Sequence, residues 1–185
     1  SPAGLIPAGF KEEETLLVSL LDGAIVRIDI QLLVYSPVQE GGYYAVLDNA
    51  LRRAAGRGVA VRVLVSNWNL REPDISHLKS LALVPGIQVA VSTIPQHSSG
   101  FIPFARVEHC KYLLVDESKT WIATGNWSSN YFHVSRNLAI VFDEDGISAT
   151  VSRIFNRSWN SEYAALLDPC RSYSPPEVAG GEARD

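Results

Sequence analysis

The chain has 185 residues, 46% of them apolar and 19% charged, with a formal net charge of −4. This is enough for one domain with a real core, and the acidic balance excludes a broadly basic surface of the kind that coats nucleic acid. No apolar run reaches the length of a membrane span, because Asp22 interrupts one such region and Pro85-Gly86 the other. The opening Ser1-Pro2-Ala3-Gly4 lacks an initiator Met and reads as a trimmed or processed end, so the chain is expected to be part of a longer protein. Cys110 and Cys170 lack any Cys-x-x-Cys spacing, and neither a metal nor another cofactor is expected.

Residues 11–21 read as a helix, with Glu12, Glu13 and Glu14 in the first turn and a stripe of Leu16, Leu17, Leu20 and Leu21. Residues 24–35, rich in Ile, Leu and Val, read as a strand that ends at Tyr35-Ser36-Pro37. A second helix is expected over 43–55, stopped by Gly56 and Gly58, and a short strand over 59–65. Asp74 caps a third helix through residue 83, and residues 87–94 form the next strand. After the flexible turn Ser98-Ser99-Gly100 come two β-rich runs, then a strand over 137–142 and a last helix over 147–163. From Pro169 the composition turns to Pro, Gly, Ser and charge, so residues 1–168 form the domain and 169–185 a disordered tail. The alternation of strand and helix predicts a layered α/β/α domain around a mixed, mostly parallel sheet with an antiparallel hairpin inside it.

The two β-rich runs, residues 107–116 and 120–126, flank the polar tetrad Asp116-Glu117-Ser118-Lys119 and read as that hairpin. A two-residue loop of Glu117 and Ser118 sets Asp116 against Lys119, His109 against Asn126 and Lys111 against Thr124. Residues two apart on a strand share a face, as do opposed residues, so an imidazole, an ammonium, a hydroxyl and an amide converge on one patch. Such a patch suits an anion with several oxygens, phosphate foremost. A loop longer by one residue breaks this parity. Leu113 and Val115 continue the His109 face, while Cys110, Tyr112 and Leu114 make the other face apolar as well. That is the pattern of a central strand covered on both sides, with Cys110 as a small buried hydrophobe.

His109-x-Lys111, Asp116 after four intervening residues, and the block Ala123-Thr124-Gly125-Asn126 together resemble the HKD signature of the phospholipase D superfamily. That pattern has Gly-Ser-x-Asn in its last block; Thr124 keeps the hydroxyl, whereas Ala123 departs from it. A branch within the superfamily is closer still. Tyr35-Ser36-Pro37, the stretches 46–55 and 58–66, Ile102-Pro103-Phe104-Ala105-Arg106-Val107, residues 125–132 and Arg157-Ser158-Trp159-Asn160-Ser161 are similar to the lysosomal branch, which contains phospholipase D-like 5′ exonucleases. The similarity runs over about residues 1–168 and corresponds to the C-terminal half of those proteins, which carry one HKD motif in each half.

The resemblance implies a metal-free phosphodiesterase in which two histidines flank one phosphodiester. One attacks phosphorus to form a phosphohistidine; the other protonates the leaving oxygen and then activates water. His109, Lys111 and Asn126 are the catalytic residues so implied, with His109 as general acid/base by its place in the family's second motif. A second half is implied as partner, either the preceding region of a longer chain or a symmetric copy. Thr124, Asn137 and Phe132 are expected to contact substrate, and Asn137 also to stand where many members have a Glu that orients the histidine; an amide orients an imidazole without stabilising its cation as a carboxylate does. Asp116, at odd spacing from His109, is expected to structure the turn.

Trp127, Tyr131 and Phe132 could stack bases or simply pack. His133 is expected to be incidental, His77 and His97 solvated, and Arg106 exposed. Asn126-Trp127-Ser128 and Asn156-Arg157-Ser158 match glycosylation acceptors, though Asn126 is needed in the site. Three readings follow: a nuclease trimming single-stranded nucleic acid, a phospholipase D acting on phosphatidyl head groups, or an inactive half-site that serves as an interaction domain. The resemblance places the first in a lysosomal or other extracytoplasmic compartment.

Overall fold

The computed structural model describes residues 2–100, 102 and 105–176. Helix α1 (Glu13–Asp22) opens on Glu13 and Glu14, where the helix dipole favours carboxylates, and buries Leu17 and Leu21 one turn apart. Strand β1 (Arg27–Leu32) ends three residues before Tyr35. The single strand expected over 24–35 is therefore broken: after Leu32 the chain leaves the main sheet, and β2 (Tyr35–Ser36) pairs in parallel with a distant two-residue strand, Trp127–Ser128. A small hairpin of β3 (Val38–Gln39) and β4 (Gly42–Tyr43) follows, which moves the start of α2 (Val46–Gly56) three residues beyond the expected Tyr43.

The chain continues with β5 (Ala60–Ser66), a 3-10 turn at Asn67–Leu70, α3 (Asp74–Ala82) and β6 (Ile87–Ser92). Then come β7 (Lys111–Val115), β8 (Lys119–Ala123), β9 (Trp127–Ser128), α4 (Ser129–His133) and β10 (Ala139–Asp143). The last helix, α5 (Asp145–Trp159), stops four residues short of the expected end. A short strand, β11 (Ala164–Leu166), takes up the chain beyond it.

One seven-stranded sheet runs in the order β10-β8-β7-β1-β5-β6-β11. The sheet is mixed as expected, but only β1–β5 and β5–β6 are parallel, so antiparallel pairings predominate where mostly parallel ones were expected. The reason lies in the connections. Helical crossovers through α2 and α3 return the chain in parallel, whereas the β7–β8 hairpin can only reverse it.

Strand side chains divide cleanly between two faces. Ile28, Ile30, Leu32, Val61, Val63, Val65, Val89, Leu113 and Val115 join a core with Leu17, Leu51 and Leu78 from α1, α2 and α3. Leu64, Ala90, Tyr112 and Leu114 point the other way, against Val151 and Phe155 of α5. The helices supply matching stripes at i, i+3, i+4 and i+7, as in Leu47, Ala50, Leu51 and Ala54 of α2. A buried ion pair pins α5 to its face: Arg62 forms two hydrogen bonds to Asp29, at 2.7 and 2.8 Å, a third to Asn156, and stacks over Phe155 and Trp159. Asn156, one of the two glycosylation-pattern residues, is thus engaged in the interior.

The hairpin loop differs from the expected one. Val115 pairs with Lys119, so three residues, Asp116, Glu117 and Ser118, lie between the strands instead of two. Asp116 and Glu117 both take left-handed backbone (φ 52° and 56°), and the Ser118 N–H closes the turn on the Val115 carbonyl at 3.1 Å. The extra residue shifts the register by one. Lys111 is brought level with Ala123, not Thr124, and the expected facing pairs His109–Asn126 and Lys111–Thr124 do not form.

The beginning of the segment expected as a disordered tail is docked. The Asp168 N–H donates to the Tyr173 hydroxyl at 2.8 Å, and the Tyr173 ring lies against the core and beneath the Lys79 ammonium. The rest of that segment, residues 177–185, and the Phe101, Pro103 and Phe104 positions before the motif lie outside the described residues.

Candidate active site

With the facing pairs gone, the motif is gathered by a different device, the carboxyl end of β1. Lys111, first residue of β7, stands beside Leu32, last residue of β1. Two residues further along, the Val34 N–H donates to the Asn126 side-chain oxygen at 3.3 Å, and the Val34 carbonyl accepts from the Trp127 N–H at 3.1 Å. Lys111 and Asn126 therefore reach the same end of the sheet from opposite directions. It is the end where open α/β sheets take ligands, at the point where connections on the two sides of one strand diverge. Here β5 and β6 build outward on one side of β1, and β7, β8 and β10 on the other.

His109 precedes β7 and lies off the ladder. Its ring is exposed, while the Lys111 side chain is only 7% exposed. The Lys111 ammonium sits 3.3 and 3.2 Å from the two imidazole nitrogens and donates to the His109 carbonyl at 3.0 Å. A buried ammonium against an accessible imidazole is an arrangement that holds anionic oxygen beside a group able to attack or to carry a proton. Asn126 is 2% exposed. Because its oxygen is held by Val34, its amide nitrogen is turned away from that strand, and it has no protein partner among the described residues.

Asp116, third letter of the motif, lies at the other end of β7, about 17 Å from Lys111 at the usual strand rise. Its carboxylate accepts from three successive backbone amides, Ile25 at 2.9 Å, Val26 at 2.7 Å and Arg27 at 2.9 Å. Partial burial pushes its pKa up, but those amides and Lys119 outweigh it and hold the carboxyl below the usual range. The residue ties the hairpin turn to the start of β1.

The remaining expected residues fall around the site in different ways. The Thr124 hydroxyl bonds to β10's approach: it accepts from the Leu138 N–H at 3.1 Å and lies 3.3 Å from the Asn137 oxygen. Asn137 in turn donates to the Tyr131 carbonyl at 2.8 Å, so it braces the loop that carries Asn126. Gly125 is closely surrounded there. A Cβ on it would come within 3.1 Å of Asn137 and 3.2 Å of Tyr131. Phe132 is corrected: at 4% exposure it packs in the core beside Tyr44, with no face open to a base. Trp127, also buried, packs edge-on to Trp121.

The other polar candidates take ordinary places. His133 pairs with Glu14 at 3.3 Å. His97 is exposed, but His77 is half-buried and stacked on Tyr43, not solvated as expected. Arg106 donates to the Pro95 carbonyl. Cys110 is half-buried, and burial with the neighbouring Glu108 carboxylate pushes its thiol up to about 12. Among the described residues no group of three or more His, Cys, Asp or Glu is arranged to hold a metal, and no helix is long and apolar enough to cross a membrane.

Sequence reasoning missed one residue that shapes this end of the sheet. Asn69, 1% exposed in the turn after β5, bonds to both sides of the Val34 peptide pair. The available signal was a polar residue just past the carboxyl end of a parallel strand.

Comparison with known proteins agrees with this geometry. Residues 17–159 match the family model described as "Cardiolipin synthase, PLD-like domain". The chain is 39% identical over 155 residues to "Phospholipase D Y" of Dictyostelium discoideum, covering 80% of this chain and 35% of that protein. It is 35% identical over 184 residues to "5'-3' exonuclease PLD3" of Rattus norvegicus, covering 91% of this chain and 38% of that protein. It thus spans roughly a third of the length of the curated relatives it matches. In fold it is similar to NucT from Helicobacter pylori, with a TM-score of 0.69 at 16% identity over 80% of this chain and 87% of that one. The matched family model, the relatives and the arrangement of the His109-Lys111 and Asn126 motif agree: the chain belongs to the phospholipase D-like family.

Proposed function

We propose that this chain supplies one half of a phosphodiesterase centre that hydrolyses single-stranded nucleic acid, with His109 as one of two required histidines. The observation that carries the reading is that Lys111, with His109 against it, and Asn126 both lie at the carboxyl end of β1. Lys111 and the Asn126 amide nitrogen hold the non-bridging oxygens of the phosphodiester. A histidine of the second half attacks phosphorus, and the bond to the leaving oxygen breaks as that oxygen takes a proton from His109. His109 then removes a proton from water, which displaces the phosphoryl group from the first histidine. The second half is the preceding region of a longer chain or another copy of this one.

Nucleic acid is favoured as substrate because several relatives carry the name 5'-3' exonuclease at 30–35% identity. A lysosomal or other extracytoplasmic setting belongs to the same reading. The names of the Dictyostelium relatives support phosphatidyl head groups as a second reading.

Three measurements test this. Incubation with a 32P-labelled phosphodiester and alkaline quenching should trap label on histidine, and no label in an assembly containing both halves overturns the mechanism. Single-stranded oligonucleotide and phosphatidylcholine assayed side by side separate the substrates. Sedimentation shows whether two copies associate when turnover appears.

A further inference from the structure

The three residues Leu33, Val34 and Tyr35 cross from the main sheet to the β2–β9 pair, and they cross it buried, at 3%, 9% and 2% exposure. The Val34 carbonyl accepts from the Trp127 N–H, whereas the Leu33 carbonyl, the Val34 N–H and the Tyr35 N–H are satisfied by side chains. Asn69 does this on both sides of Val34. Its amide nitrogen donates to the Leu33 carbonyl at 2.7 Å and to the Ser66 carbonyl at 2.8 Å, while its oxygen accepts from the Tyr35 N–H at 2.8 Å. The reversed amide would set nitrogen against an N–H and oxygen against two carbonyls, so one orientation is fixed.

Between the two groups that Asn69 holds lies the Val34 N–H, the donor to the Asn126 oxygen. Asn126 cannot flip without placing its own NH2 against that N–H. The direction of the Asn126 amide nitrogen is thus set by Val34, and the place of Val34 by Asn69. Tyr35 is anchored further by its hydroxyl, which donates to the buried Asp48 carboxylate at 2.5 Å.

We infer that Asn69 is a positioning residue for the phosphate site: it aims the Asn126 amide through the backbone of Val34. The inference rests on the reading of Asn126 given above, and adds to it a residue 57 positions away that does not touch the substrate.

The test is NMR on this chain as it stands. Asn69→Asp keeps the size of the side chain but turns an oxygen toward the Leu33 and Ser66 carbonyls; Asn69→Ser removes the bracket. Both should shift the side-chain NH2 resonances of Asn126, while Leu81→Ala, a cavity at the far end of α3, should leave them in place. In an assembly that turns over bis(p-nitrophenyl) phosphate, the same variants should lower kcat about tenfold with KM nearly unchanged, the mark of lost aim at the transition state. Unmoved Asn126 resonances in either folded variant overturn the inference.

If neither variant folds, amide exchange in the unaltered chain decides. Exchange at Val34 as slow as at Ile30 in β1 supports the clamp, and exchange at the rate of an exposed loop overturns it. Moved resonances without any phosphohistidine in the labelling experiment would sink the proposed mechanism and leave this inference standing. Phosphohistidine with unmoved resonances would do the reverse.

Discussion

The two ends of β7 carry the same motif and do unlike work. At its start an exposed imidazole leans on a buried ammonium. At its finish the Asp116 carboxylate accepts from three successive backbone amides that lead into β1, those of Ile25, Val26 and Arg27. One end leaves an imidazole at the surface; the other fastens the turn to the segment that leads into β1. A signature contiguous in sequence therefore divides between a surface imidazole with its buried ammonium at one end of the strand and a backbone tie at the other.

Substitutions at the two ends should separate in the same way. His109→Ala should cut turnover by about a thousandfold or more in an assembly containing both halves. Its urea midpoint should stay near that of the unaltered chain, because an exposed ring contributes little to packing. Lys111→Met should lower turnover about a hundredfold through lost oxyanion stabilisation. Its stability should hold or rise, since an apolar chain of similar length replaces a buried cation. Loss of stability without loss of turnover in either variant would erase the distinction.

Asp116→Ala should behave in the opposite sense, costing about 2 kcal/mol of stability for the loss of charge-assisted bonds to backbone, with turnover per folded molecule unchanged. The pH dependence follows from the same bonds. The folded carboxyl titrates below the ordinary value, so its stabilising contribution is complete above about pH 4 and is lost as pH falls through the lower folded value. The stability gap between the unaltered chain and Asp116→Asn should thus narrow on acidification, which denaturant titrations at a series of pH values would reveal. Gly125→Ala should have the smallest effect, about 1 kcal/mol for a methyl forced against Asn137 and Tyr131, with a modest loss of turnover because the loop bearing Asn126 must shift.

Much of this was open to reading in the sequence. Helical stripes such as Leu47, Ala50, Leu51 and Ala54 repeat at the helical period, and the two-sided apolar run of β7 announces a central strand. The hairpin register was not open, because it depends on Asp116 and Glu117 both adopting left-handed backbone with no glycine to mark the turn. Nor was the break after Leu32, where Leu33 and Val34 continue an apolar run without interruption while the chain changes partners. Phe132 looked like a platform for a base because it follows the motif closely, but the short helix α4 turns it inward onto Tyr44. Asn69 carries only the mark of a polar residue just past β5, since the peptide it holds is 34–36 residues away.

The stitches at the carboxyl end of β1 join positions 34, 36 and 92 residues apart along the chain. Contacts of such separation form late, after the loops between them have closed. Refolding chains should accordingly regain helical circular dichroism first and the Asn126 environment last. A newly made chain would then pass through an interval in which its helices exist but the side chain of Asn126 is not yet held.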